Sequence, residues 1–220
     1  LQEVANNLMT KPIKCLISAG PTREWIDSVR FVSNPSSGKM GFELAIAARE
    51  MGFEVTLVSG PVSIPCPDGI IYKAVETALQ MREVLVDLFP ESDLTIMSAA
   101  VSDHRPEYLG DKKIKKNKFP ENLNLIPNPD ILHELGNMKS PNQKLIGFAA
   151  ESTDHLANGQ KKLEAKNLDW IVVNDISKPE IGFESEMNQV TLLSRNNENF
   201  SFPLSSKKEI ASAILNQVWK

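Results

Sequence analysis

Short apolar runs alternate with segments of helical period along most of the chain. Ile13–Ala19 is a predicted strand, and Gly38–Met51 a helix with a core stripe of Phe42, Leu44, Ala45, Ala48 and Met51. Glu54–Val58 is a second strand, closed by Ser59-Gly60-Pro61. Pro61, Pro65 and Pro67 exclude a regular element from Val62–Gly69, and Ile70–Ala74 is a short strand. Thr77 and Gln80 form a capping box for a helix running to about Leu88. Leu94–Ser98 is a buried strand. A long irregular region leads to a weaker strand over Asn122–Ile126, and Pro129 suits the first turn of a helix reaching Met138. Leu145–Ala149, Leu156–Lys166 and Trp170–Asn174 follow as strand, helix and strand. This βαβα order predicts an α/β fold, a Rossmann-like, mostly parallel sheet with helices on both faces.

The pattern then changes. Gln189–Leu193 and Asn199–Phe202 flank Ser194-Arg195-Asn196-Asn197-Glu198 and read as a C-terminal antiparallel hairpin. Ser206 with Glu209 is a second capping box, starting a helix that runs to about Val218. No repeat or low-complexity tract interrupts the chain. Residues 13–220 read as one domain, with 1–12 as an N-terminal extension or linker.

Composition narrows the class. The chain has 220 residues, 41% hydrophobic and 24% charged, as expected of a globular domain with a real core. A net charge of −4 and a pI near 5.5 argue against nucleic-acid and membrane-surface partners. No apolar run approaches the ~20 residues of a membrane span, and Leu1–Pro12 lacks the pattern of a secretory signal. Cys15 and Cys66 are too few for a disulfide framework or a zinc site, so a reducing cytoplasm is the expected compartment.

Polar residues collect where the predicted parallel strands end, which is where open α/β sheets hold ligands. The first strand leads to Gly20-Pro21-Thr22-Arg23-Glu24 and then Asn34. Later strands lead to Ser59-Gly60-Pro61, Ala99-Ala100-Val101-Ser102-Asp103, Pro127-Asn128-Pro129-Asp130, Gly147-Phe148-Ala149-Ala150-Glu151 and Asn174-Asp175. Ser33 to Gly41 ends at a predicted helix start, where unpartnered N–H groups attract phosphate or carboxylate; an ordinary Ser-capped turn is the plain alternative. It is neither a Walker A loop nor G-x-G-x-x-G.

Lys112, Lys113, Lys115, Lys116 and Lys118 crowd one loop, either a solvated patch or a lid over a polyphosphate. Lys162 and Lys166 share a helix face, with surface solvation as the plain reading. Asp103, Asp130, Glu151 and Asp175 are candidate Mg²⁺ ligands or, equally, caps and ion-pair partners. His104, His133 and His155 show no ligand or triad spacing. Phe148 reads as part core and part ligand platform.

Taken together, these segments resemble bacterial 4′-phosphopantothenoylcysteine synthetase. The resemblance is carried by Ile17-Ser18-Ala19-Gly20-Pro21-Thr22-Arg23-Glu24, Ile26-Asp27-Ser28-Val29-Arg30, Ser33 through Gly41, Val55 through Pro61, Ala99 through Asp103, and Lys113-Ile114-Lys115-Lys116. It continues through Asn128-Pro129-Asp130-Ile131, Gly147 through Glu151, Lys166-Asn167-Leu168-Asp169 and Asn174-Asp175. It runs from about Ile13 to the last helix, and the order of the motifs makes it specific.

The resemblance implies a two-step ligase. The carboxylate of 4′-phosphopantothenate attacks the α-phosphate of CTP, releasing pyrophosphate. The amine of L-cysteine then attacks the acyl-cytidylate, releasing CMP. It implies Mg²⁺, a homodimer, and a flavin-dependent decarboxylase as neighbouring domain or partner protein. The chain reads as free-standing or as half of such a longer protein. Asn34 and Lys113 are the implied catalytic residues, Asn34 holding the acyl-cytidylate and Lys113 closing as the lid lysine. Ser36, Ser37, Gly38, Met97, Ser98, Ala99, Asp103, Lys113, Lys162 and Lys166 are implied nucleotide contacts. Pro129, Asp130, Ile131 and Leu132 are expected to read the base through backbone groups, beside Phe148. Asn34, Ala99, Ala100 and Asp103 are implied substrate contacts, and no metal ligand is implied.

Pro21 and Pro35 depart from many relatives at loop positions, where altered rigidity is expected. The Gln189–Phe202 hairpin is the candidate dimer contact, because an edge strand offers unpaired backbone groups. A dinucleotide-dependent oxidoreductase and a non-catalytic nucleotide-binding module are the alternatives; the missing G-x-G-x-x-G counts against the first.

Overall fold

The computed structural model describes residues 11–151, 154–175 and 186–220, without the side chains at 151 and 175. The proposed ligand carboxylates of Glu151 and Asp175, and residues 1–10 of the expected extension, therefore lie outside the described residues.

Six strands run parallel. These are β1 (Lys14–Ala19), β4 (Glu54–Ser59), β5 (Ile71–Ala74), β6 (Leu94–Met97), β9 (Lys144–Glu151) and β10 (Trp170–Asp175). They lie in the order β5-β4-β1-β6-β9-β10, and β11 (Met187–Ser194) and β12 (Asn199–Ser206) extend the β10 edge antiparallel. The parallel set has the doubly wound order of a Rossmann sheet, 3-2-1-4-5-6. Its direction of growth reverses between β1 and β6, whose carboxyl ends are Ala19 and Met97.

Alternation along each strand sorts side chains between two layers. On β1, Cys15, Ile17 and Ala19 face α1 (Lys39–Glu50) and α5 (Lys207–Val218), while Leu16 faces the other layer. That layer holds α2 (Ala78–Leu88), α3 (Ile131–Met138) and α4 (His155–Ala165), which insert Met81, Leu85, Ile131, Leu135 and Leu163. Both capping boxes form: Thr77 accepts from the Gln80 N–H and Ser206 from the Glu209 N–H, and each partner side chain reaches back to its cap.

The structure corrects several local expectations. Residues 23–33, between the first predicted strand and the first predicted helix, where no element was expected, form a hairpin of β2 (Arg23–Asp27) and β3 (Arg30–Ser33). Its alternation was masked by buried charge: Glu24 accepts from the Ala78 N–H at the start of α2, and Asp27 is fully buried. The weak strand is β8 (Leu125–Pro127) rather than 122–126, paired with β7 (His104–Pro106) instead of joining the main sheet. Pro129 precedes α3 instead of entering it. Asp130 is the cap, its Oδ1 accepting from the His133 N–H at 3.0 Å. Met51 is not in the stripe of α1; it caps the helix C-terminus and is exposed.

Candidate functional site

At the point where strand order reverses, a cavity of about 460 Å³ opens beyond the strand ends. One wall is the loop into α1, contributing Asn34, Pro35, Ser36, Gly38 and the first turn of the helix. A second is Ser98, Ala99, Ala100, Val101 and Asp103, leaving β6. Phe148, Ala149 and Ala150 close it from β9, and Asn174, Asn188 and Lys207 from the antiparallel side.

Backbone physics builds the first wall. Gly38 caps α1 at φ +79°, a left-handed conformation that glycine adopts without strain, and no side chain caps the helix. The plain alternative of a Ser-capped turn is thereby removed. The first-turn N–H groups have no intrahelical acceptor and favour an anion. Ser36 Oγ instead accepts from the Gly38 N–H at 3.3 Å, tightening the loop. Gly41 brings the helix against the sheet: a Cβ there would meet Ala19 Cβ at 2.5 Å and Ser98 Oγ at 2.7 Å.

The second wall is tied down from both sides. Ala99 N–H donates to Ser18 Oγ at 3.2 Å, and Ala100 N–H to the Gly20 carbonyl at 2.9 Å. Asn128 donates through Nδ2 to the Ser102 carbonyl and through its N–H to the Asp103 carbonyl, both at 2.8 Å. Across the cavity mouth, Asn34 Nδ2 donates to the Ala100 carbonyl at 3.1 Å. Pro21 sits in a bridge with Ala100 in which the Thr22 N–H donates to the Ala100 carbonyl and the Ala100 N–H donates to the Gly20 carbonyl, so its missing donor costs no bond.

The cavity thus gathers Asn34, Ser36, Gly38, Ser98, Ala99, Ala100, Asp103 and Phe148 from the expected set. The other expected residues do not line it. Ser37 stands outside the wall and Met97 is buried core. Ile131 is core as well, and Leu132 packs at Gly147. Lys166 pairs with Asp130 at 2.9 Å, beyond the cavity, and Lys162 is exposed on the same helix. Burial works against the Asp130 charge, yet Lys166 and the His133 N–H hold its carboxyl below the usual range.

Lys113 is exposed in a segment fastened next door, where Ile114 N–H donates to the buried Asp27 carboxylate at 3.2 Å. Asp27 also accepts from the Val29 and Arg30 N–H groups and pairs with the Arg30 guanidinium, which stacks over Phe119. Burial raises the Asp27 carboxyl, but these donors outweigh it and leave it below its ordinary value.

Asn174 is read from the sequence only at a strand end without a role, and two wall residues, Asn188 and Lys207, lie outside every site motif the sequence offers. Lys207 is 5% exposed. Burial pushes its ammonium below the ordinary lysine value, nearby Lys39 adds to that, and Glu186 opposes it. Asn174 Oδ1 is buried without a hydrogen-bond partner among the described residues. Among those residues no cluster of three metal-ligating side chains occurs. Mg²⁺ carried by phosphate oxygens needs only one or two carboxylates, and Asp103 on the wall fits that demand. A second cavity, about 520 Å³, lies under the β2–β3 hairpin beside Trp25, Leu79 and Tyr108; none of the expected site residues lines it.

Residues 10–220 match the family model described as the DNA/pantothenate metabolism flavoprotein C-terminal domain. The chain belongs to this family. It is 43% identical over 204 residues to the coenzyme A biosynthesis bifunctional protein CoaBC of Bacillus subtilis (strain 168), covering 92% of the chain and 50% of that protein. It is 46% identical over 206 residues to a cysteine/cysteine sulfinic acid decarboxylase from an unknown prokaryotic organism, covering 93% of the chain and 57% of that protein. The crystal structure of the C-terminal domain of a coenzyme A biosynthesis bifunctional protein CoaBC superposes with a TM-score of 0.80 at 41% identity, covering 94% of this chain and 93% of that one. The chain therefore spans about half the length of these curated relatives, and nearly all of the solved C-terminal domain. No helix among the described residues is long and apolar enough to cross a membrane.

Proposed function

We propose that the chain is a CTP-dependent ligase joining 4′-phosphopantothenate to L-cysteine in coenzyme A biosynthesis. The observation that carries this reading is the meeting of Asn34, Asp103 and the uncapped start of α1 in one cavity at the switch point. In the first step the substrate carboxylate attacks the α-phosphate of CTP and pyrophosphate leaves. The α1 N–H groups receive the charge building on the phosphate oxygens. Mg²⁺ would be held by those oxygens and Asp103, and it supplies charge neutralisation when bound.

In the second step the cysteine nitrogen attacks the acyl carbon, sheds its proton, and CMP departs. One N–H of the Asn34 amide donates to the Ala100 carbonyl, which orients the side chain, and Oδ1, its acceptor, is placed to receive the attacking N–H. Lys113 closes from the segment anchored at Ile114, and residues 129–132 with Lys162 and Lys166 reach the nucleotide from the α3–α4 side. A neighbouring flavin-dependent decarboxylase domain is part of the same proposal, as is location in the cytoplasm. So is a homodimer. Its contact is better sought on the β2–β3 hairpin, which exposes Val29, Phe31 and Val32, than on β12, whose rim is interrupted by Pro203.

Omitting single substrates tests the reading. With CTP, Mg²⁺ and 4′-phosphopantothenate but no cysteine, pyrophosphate should appear at about one equivalent per enzyme and CMP should not. The name of the 46% identical relative motivates a second reading, decarboxylation. Release of CO₂ from cysteine without nucleotide would favour it.

A further inference from the structure

Asn128 is not among the residues lining the cavity, yet it grips the wall segment that carries Asp103. Its Nδ2 donates to the Ser102 carbonyl and its backbone N–H to the Asp103 carbonyl, both at 2.8 Å. These two carbonyls belong to the planar peptide units on either side of the Asp103 Cα, so one residue fixes the direction of the Asp103 Cα–Cβ bond. The Ser102 N–H in turn donates to Oγ1 of the fully buried Thr22 at 3.1 Å. Arg105 sets the Asn128 amide: Nη1 donates to Asn128 Oδ1 and to the Pro127 carbonyl, both at 2.9 Å. A guanidinium only donates and a carbonyl only accepts, so these partners admit one orientation of the amide. An Asn that serves only its own turn bonds the backbone within that turn. This one commits both ends of its amide to a segment 23 and 26 residues away. The clamp stands where β7 begins and β8 ends, at the base of the ribbon from which residues 107–124, with Lys113, extend. On its other side Asn128 leads through Pro129 to Asp130, the cap of α3.

We propose that Asn128 is a positioning residue that acts through Asp103, aiming that carboxylate at the Mg²⁺ carried by the nucleotide phosphates, with Arg105 locking the amide. The inference rests on the nucleotide-dependent ligase reading for what Asp103 faces. Misplacement of a reacting group by about 1 Å can cost about 100-fold in rate, which is how a residue outside the cavity controls the chemistry inside it. The same clamp ties the base of the lysine segment to the start of α3, so three parts of the proposed nucleotide site share one anchor.

The test is a double-mutant cycle of Asn128→Ala and Asp103→Asn in the full chain. Two readouts are taken per folded molecule: the rate of pyrophosphate release, and the affinity for CTP by calorimetry with Mg²⁺ or with EDTA. Asn128→Ala keeps the Asp103 charge and removes its aim. Pyrophosphate release should slow roughly 10- to 100-fold, and most of the affinity that Mg²⁺ adds to CTP binding should be lost. In the Asp103→Asn background the same substitution should change the rate less than about threefold, because its route is already cut. Asn128→Asp still accepts from Arg105 but cannot donate to Ser102, so it should be as slow as Asn128→Ala. Additive losses in the cycle overturn the proposal. So does Asp103→Asn as fast as wild type, and so does a lowered melting temperature with wild-type rate and Mg²⁺ dependence. Wild-type protein that binds CTP with a Mg²⁺ gain lost in Asn128→Ala, but releases no pyrophosphate, sinks the ligase reading and leaves the clamp standing. Wild-type binding of no CTP overturns both. If Asn128→Ala does not fold, Arg105→Met must show the same Asp103-dependent loss.

Discussion

Asn34 Nδ2 and the backbone carbonyl of Ala100 lie 3.1 Å apart, joining loops separated by 66 residues. The bond fixes which end of the amide faces the substrate, since only NH₂ can donate to a carbonyl. It also couples the loop before α1 to the loop after β6, the two sides of the switch point.

Asn34→Ala removes both ends of that amide. Under the proposed division of labour, amide formation should slow roughly 100-fold through lost positioning, while pyrophosphate release falls less than tenfold. Rapid-quench measurement of pyrophosphate against CMP checks this. Equal losses in the two steps would reject a role confined to cysteine attack.

Asp27 is predicted to hold the lysine segment. Asp27→Ala should leave Ile114 and Arg30 without their acceptor and expose residues 112–118 to trypsin severalfold faster than wild type. The pH dependence has a defined sign. The folded carboxyl titrates below its unfolded value, so its contribution is complete above the unfolded pKa of about 3.9 and disappears as pH falls through the lower folded value. Denaturant melts should therefore lose less stability on acidification in Asp27→Asn than in wild type.

Asp130 has two separable roles, cap and ion-pair partner. Asp130→Ala should destabilise the fold by about 1 kcal/mol through loss of the α3 cap. Asp130→Asn keeps a capping oxygen and loses only the charge facing Lys166, so its melting temperature should stay near wild type. If both variants are equally unstable, the ion pair and not the cap is what matters. The same Asp130→Asn protein frees Lys166 for nucleotide, and its KM for CTP should not rise.

Gly41→Ala tests how tightly α1 is pressed to the sheet. The added methyl must displace Ala19 or Ser98, and overpacking of this kind costs about 1–3 kcal/mol. Because Ser98 is a cavity wall, CTP affinity should fall together with thermal stability. A variant with full stability and weakened binding would show that the contact belongs to the site alone.

The parallel core was legible because its signal is simple. Runs such as Cys15–Ile17 are apolar on both faces, and Phe42, Leu44, Ala45 and Ala48 repeat at helical spacing. The β2–β3 hairpin was not, because Glu24 and Asp27 are buried charges satisfied by distant partners, Ala78 and Ile114. The wall from Asn34 to Gly41 and from Ser98 to Asp103 was readable as strand-end chemistry. Lys207 was not, since a lysine after a capping Ser reads as solvated surface. The packing of α5 against α1, β11 and β12 turns it inward. The capping box at Ser206 marked where the helix starts, and that was the one available signal. The lysine loop offered a lid as one of two readings and Lys162 and Lys166 a shared helix face; the resemblance chose the nucleotide role for them, and the described cavity does not gather Lys113, Lys162 or Lys166.

The central claim is that one cavity couples CTP cleavage to amide formation. The direct measurement is quantitation of CMP, pyrophosphate and 4′-phosphopantothenoylcysteine after incubating the protein with 4′-phosphopantothenate, L-cysteine, CTP and Mg²⁺. The account predicts all three in equal amounts, with no CMP when cysteine is withheld. Absence of CMP and of the coupled product with every substrate present, and with ATP also inert, would contradict it.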